Sequence, residues 1–105
     1  MDEELRRELQ AAVAEYRASL APRLAALEAL RGELASGKAS PARVAELHRE
    51  LHSIAGSGRT FGLAGVSEAA RAAEAFVEQR SAAGLDAAAW ERLRALLQDL
   101  ARAVL

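Results

Sequence analysis

The sequence predicts an all-α protein, an antiparallel up-down bundle of four helices. Three observations predict it. Of the 105 residues, 51% are hydrophobic, largely Ala and Leu, and only 4% are aromatic. Ala and Leu are strong helix formers, and β-branched residues are scarce. Apolar residues recur at three- and four-residue spacing along most of the chain, the period of one helix face. Proline, glycine and capping residues divide that pattern into stretches joined by short polar connections, which favour antiparallel neighbours.

Asp2 is placed to cap a first helix whose apolar positions are Leu5, Leu9, Val13, Tyr16 and Leu20. Pro22 interrupts it, and Ser19 could cap a restart with Pro22 inside its first turn. One long kinked helix and two consecutive helices both satisfy the pattern; the long one is expected. Leu24, Leu27, Leu30 and Leu34 continue the stripe as far as Gly37. Ser40-Pro41 then reads as a cap followed by proline at the first helical position. This second helix should bury Val44, Leu47, Leu51 and Ile54, and Gly62 is placed to stop it with Leu63 as the following apolar contact. A third helix is expected from about Gly65 to about Arg80, with Val66, Ala69, Ala70, Ala73 and Val77 inward. That alanine-rich face allows a close approach to the second helix. Gly84 ends the next linker and Asp86 caps a fourth helix, whose apolar side is Trp90, Leu93, Leu96, Leu97 and Leu100.

The length suits one domain over residues 1–105 with a single core. A formal net charge of −1 gives no electrostatic case for nucleic acid. Without cysteine there are no disulfides or thiolate metal sites. No apolar run approaches the ~20 residues of a membrane span, and the charged start is no signal peptide. No membrane association and a cytoplasmic location are therefore expected.

The chemistry concentrates in the second helix. His48, His52, Gly56 and Arg59 are spaced four, four and three residues apart, so they share one face. That face borders the stripe of Leu47, Leu51 and Ile54, which leaves His52 at the boundary with solvent. A neutral imidazole there offers a nucleophilic lone pair near neutral pH and can take a phosphoryl group without a separate base. Gly56 and Gly58 each cost a helix interior about 1 kcal/mol relative to alanine. Bare backbone beside the imidazole fits room for a phosphoryl group and for the protein that delivers it. A carboxylate accepting the other ring N–H would fix the tautomer. Glu74, beside the Ala70–Ala73 face, is the candidate; a solvated surface acid is the other reading its spacing allows.

Two histidines at i and i+4 also invite a metal reading. The zincin motif needs glutamate directly after the first histidine, where this chain has Arg49. With no cysteine and no third ligand suggested by spacing, no metal site is expected. Phe61, Trp90 and Tyr16 read as packing residues, and Ser53 and Ser57 as bonding to backbone.

Residues 52–62, His-Ser-Ile-Ala-Gly-Ser-Gly-Arg-Thr-Phe-Gly, together with Glu74, resemble the signature of histidine phosphotransfer (HPt) domains. The ending Thr60-Phe61-Gly62 is similar to the phosphotransfer domain of chemotaxis histidine kinases. The resemblance implies that His52 is phosphorylated on Nε2, that Glu74 hydrogen-bonds its ring, that Gly56 gives a partner clearance and that Gly62 shapes the helix end. It implies relay of a phosphoryl group to or from an aspartate on a response-regulator receiver domain, or receipt from a histidine kinase. No kinase or ATPase activity and no cofactor of its own are implied; Mg²⁺ is expected on the partner receiver. His48, Ala55, Gly56 and Arg59 would form the partner surface, and a monomer is the simplest state.

One departure stands out. The family usually carries lysine three residues after the histidine, where this chain has Ala55. Arg59 could supply the missing charge or be an ordinary solvated arginine. The competing function is a non-catalytic adaptor that docks receivers without accepting phosphate.

Overall fold

In the computed structural model, which describes residues 2–81 and 84–105, the helix caps read at Asp2, Ser40 and Asp86 form. Helix α1 spans Glu3–Glu33, and Asp2 Oδ1 accepts from Leu5 N at 2.7 Å. Helix α2 spans Pro41–Thr60 with Ser40 Oγ accepting from Arg43 N at 3.2 Å. Helix α3 spans Ala64–Ser81, and α4 spans Ala87–Val104 with Asp86 Oδ1 accepting from Ala89 N at 2.8 Å. These side chains satisfy amide donors that no helical carbonyl can reach. The linker expected between Arg80 and Gly84 includes Ala82 and Ala83, which lie outside the described residues.

Pro22 does not split α1, which runs unbroken through it. Ser19, the alternative restart cap, instead donates its hydroxyl back to the Tyr16 carbonyl at 2.6 Å. Leu20 and Leu27, on either side of the proline, are both buried. Their burial holds the helix together against the one hydrogen bond proline removes. The helix closes in a wider π-type turn, Leu34–Lys38, where Gly37 takes φ 100° and lets the chain reverse.

Helix α2 ends in a Schellman turn. Leu63 N donates to Gly58 O at 2.8 Å and Gly62 N to Arg59 O at 3.1 Å, with Gly62 at φ 75°. Leu63 then packs against the core.

The helices pack in a ring in which each touches its sequence neighbours and α1 meets α4. Cross-links fix the antiparallel registers. Arg17 Nη1 donates to the Val104 carbonyl at 2.9 Å, and the buried Arg31 reaches the Trp90 carbonyl while holding Glu28 through two nitrogens. Arg23 pairs with Glu50 at 2.7 Å, and Tyr16 stacks on Phe61 with centroids 4.4 Å apart. The core contains the expected Leu20, Leu27, Leu34, Leu47, Leu51, Ile54, Val66, Ala70, Ala73, Val77, Trp90, Leu93, Leu96, Leu97 and Leu100, whereas Val44 and Ala69, expected inside, are only partly buried against it.

The molecule measures 52 × 22 × 21 Å. A helix of 31 residues is about 46 Å long at 1.5 Å per residue, so α1 outruns the other three. Its first turns project past the ring, and the apolar stripe begins with Leu5 and Leu9 exposed at 45% and 49%.

Candidate functional site

The short Schellman turn sets α3 antiparallel to α2, so the facing residues follow from their distance to that turn. One close approach locks the pair. A Cβ on Gly58 would lie 3.3 Å from both Ser67 N and Val66 Cγ1, so this glycine lets the two backbones meet. Beside it, the buried Ser67 hydroxyl donates to the Ala55 carbonyl at 2.7 Å. Sequence reading singled out neither role.

That register places Glu74 opposite His52. Their Nδ1–Oε2 distance is 2.5 Å. A carboxylate only accepts, so the imidazole donates through Nδ1–H, and Nε2 keeps its lone pair. The His52 side chain is 76% exposed and that of Glu74 only 13%. Glu74 is therefore no solvated surface acid: it sits against the bundle and holds the ring from below. Among the described residues nothing is hydrogen-bonded to Nε2 of this exposed side chain.

His48 lies one turn earlier, its ring nearly parallel to that of His52 at 6.4 Å between centroids. Its Nε2 is buried, 3.6 Å from Glu74 Oε2 and 3.7 Å from Glu78 Oε2. Glu74 thus stands between two imidazoles, with the short hydrogen bond going to His52. Among the described residues no three His, Cys, Asp or Glu side chains form a group that could hold a metal ion.

In the other direction along α2, Gly56 is exposed and a Cβ there would meet nothing within 4 Å. The two glycines of the motif differ in kind: Gly58 is pressed against α3 and Gly56 opens to solvent. A hollow of about 340 Å³ beside the histidine is lined by His52, Ala55, Gly56, Arg71, Glu74, Ala75 and Glu78.

One expectation changes at this point. Ala55, anticipated on the partner-facing surface, is 3% exposed and forms a wall of the hollow rather than an outward contact. Residue 55 lies where α3 packs, its carbonyl accepting from the buried Ser67 hydroxyl. Arg59 is exposed on α2 and is not among the residues lining the hollow. The cation that does line it is Arg71, which sequence reading passed over. Its signal was available: Arg71 precedes Glu74 by three residues and so shares its helix face.

The aromatic expectations and that for Ser57 hold, whereas the Ser53 hydroxyl, expected on backbone, accepts from Arg23 Nη2 at 3.2 Å. Ser57 Oγ donates to the Ser53 carbonyl at 2.8 Å, which leaves Tyr16 O–H to donate to Ser57 Oγ at 2.5 Å. Trp90 is buried in the core.

The fold and site together are those of a four-helix ring that presents one carboxylate-bonded, solvent-facing histidine. The family comparison agrees: the Hpt domain model matches residues 3–103, and the chain belongs to the Hpt domain family. The match is to the family as a whole. That family's function is histidine phosphotransfer in phosphorelays, and its members work with receiver domains and kinases of two-component systems. Searches of curated proteins and of solved structures gave no match. No described helix is long and apolar enough to cross a membrane.

Proposed function

We propose that His52 is the phosphoacceptor and that it exchanges a phosphoryl group with an aspartate on a receiver domain. The observation that carries this is the pairing of a shielded Glu74 with Nδ1 of a ring whose other nitrogen is free. The Nε2 lone pair attacks phosphorus of the receiver's aspartyl phosphate. The N–P bond forms as the P–O bond to the carboxyl group breaks, and the aspartate leaves with the electron pair. No proton is moved at Nε2. The ring then carries positive charge with its Nδ1–H still on Glu74, and that carboxylate stabilises it. The reverse transfer runs through the same arrangement.

Such transfer depends mostly on positioning and charge neutralisation. The divalent ion that helps neutralise the phosphoryl oxygens belongs to the receiver's acidic site; this chain supplies the nucleophile, its orientation and the open ground around Gly56.

The test is transfer from receiver domains carrying labelled phosphate, with His52→Gln beside the wild type. Label on the wild type alone, lost in acid and kept in base, is the expected result. Binding of a receiver without label would replace this reading with the adaptor one. Equal labelling of His52→Gln would place the acceptor elsewhere.

A further inference from the structure

We infer that Arg71 is the phosphate-binding cation of this site, the charge that holds the phosphoryl group on His52; the inference rests on His52 being the phosphoacceptor. The need for a cation follows from the site itself. A phosphoryl group on Nε2 brings close to two negative charges at neutral pH. It would arrive beside the Glu74 carboxylate, with Glu78 lining the same hollow. Like charges so placed oppose both the forward transfer and the persistence of the product.

The chain offers few remedies. Position 55, the next turn of the helix toward α3, is a buried alanine without charge. His48 is turned to Glu74 and Glu78. Among the described residues that line the hollow, Arg71 is the one cation. The antiparallel register puts it there: His48 faces Glu78, His52 faces Glu74, and one further turn sets Gly56 against Arg71.

Two details favour this assignment. Among the described residues the Arg71 guanidinium has no hydrogen-bond or ion-pair partner, whereas Arg6, Arg23, Arg31, Arg43, Arg94 and Arg102 are each committed to a carboxylate. An arginine already locked to a carboxylate would have to break that bond to serve phosphate; Arg71 has none to break. The second detail is Gly56. Gly56 lines the same hollow as Arg71 and His52, and a Cβ there would meet nothing within 4 Å. A guanidinium fork matches two phosphoryl oxygens at once, so the bare backbone serves the chain's own arginine as well as an incoming partner.

The test uses phosphoramidate as a small phosphoryl donor, so that no partner protein is needed. Label on His52 is followed by ³¹P NMR in the wild type, Arg71→Gln, Arg71→Lys and Arg92→Gln, an equal charge change on the exposed face of α4. Thermal melts confirm that each variant is folded. Arg71→Gln should slow label acquisition about tenfold, the equivalent of one hydrogen bond to a charged group lost at an exposed site. It should also raise the pH at which the phosphoryl resonance titrates, a signature that loss of packing would not produce. Arg71→Lys should recover most of both, and Arg92→Gln neither. An Arg71→Gln protein with wild-type rate and titration overturns the inference, as does a loss confined to an Arg59→Gln variant. Absence of label on the wild type, by contrast, removes the phosphoacceptor reading itself.

Discussion

Replacing Gly56 by alanine should make the protein more stable, and the reason lies in what surrounds that position. Gly56 is in the interior of α2, four residues before its end at Thr60, and a Cβ there meets nothing within 4 Å. The substitution therefore collects the full helix-propensity difference of about 1 kcal/mol with no steric term against it. For a domain of this size that corresponds to a rise in Tm of about 4 °C. Gly58→Ala, two residues on, gains the same propensity but forces a methyl against the Ser67 backbone and the Val66 side chain at 3.3 Å. Overpacking of that kind costs about 1–3 kcal/mol, so the net effect is a loss of up to about 2 kcal/mol. The assay is urea denaturation followed by circular dichroism, with unchanged m-values showing that the folded state is intact. The functional half of the experiment uses Gly56→Phe. Labelling by phosphoramidate should be slowed no more than by loss of Arg71, about tenfold, while transfer from a phosphorylated receiver falls about a hundredfold or more as the two proteins lose their close approach. Destabilisation by Gly56→Ala would show that the space above residue 56 is not open. Normal receiver transfer by Gly56→Phe would show that the partner does not come in over it.

Other perturbations separate the roles of the supporting residues. Glu74→Gln keeps an acceptor oxygen but removes the charge that steadies the ring, and it should slow labelling of His52 about tenfold by ³¹P NMR, the equivalent of one charge-assisted hydrogen bond weakened. Leu93→Ala, at a fully buried position, should cost about 2–5 kcal/mol in urea denaturation. Tyr16→Phe removes the hydrogen bond to Ser57 but keeps the stack on Phe61, so it should lower stability by about 1 kcal/mol and leave labelling of His52 unchanged.

The parts of this molecule legible in its sequence are those decided over three or four residues. Asp2, Ser40 and Asp86 cap helices because each side chain bonds an amide three positions on, and Gly62 adopts the left-handed turn that such a helix end requires. What happens at Pro22 was open, because a lost hydrogen bond competes there with burial of Leu20 and Leu27 against other helices. The exposure of Leu5 and Leu9 depends on how far α1 outruns its neighbours, which no spacing within α1 reveals. In the site, the face shared by His52 and Gly56 was readable from helical periodicity alone. Whether Glu74 met His52 was not, since that turns on the register between two helices. The same register separates Gly58 from Gly56 and brings Arg71 to the hollow in place of Arg59.

That register has a consequence for how the chain can change length. The contact between His52 and Glu74 is measured out through the last two turns of α2, a three-residue connection and the first turns of α3. An α-helix turns by about 100° per residue, so one residue inserted into either helix between them swings the carboxylate to another side of its axis and leaves the imidazole unheld. The connection itself is no safer, because its two hydrogen bonds depend on Gly62 and Leu63 in fixed order. Between α1 and α2 no such ruler operates: the exposed residues from Ala35 to Ala39 join helices without setting the spacing of the reactive pair. Insertions and deletions should therefore be borne at that end of the molecule, while the stretch from His52 to Glu74 keeps its length.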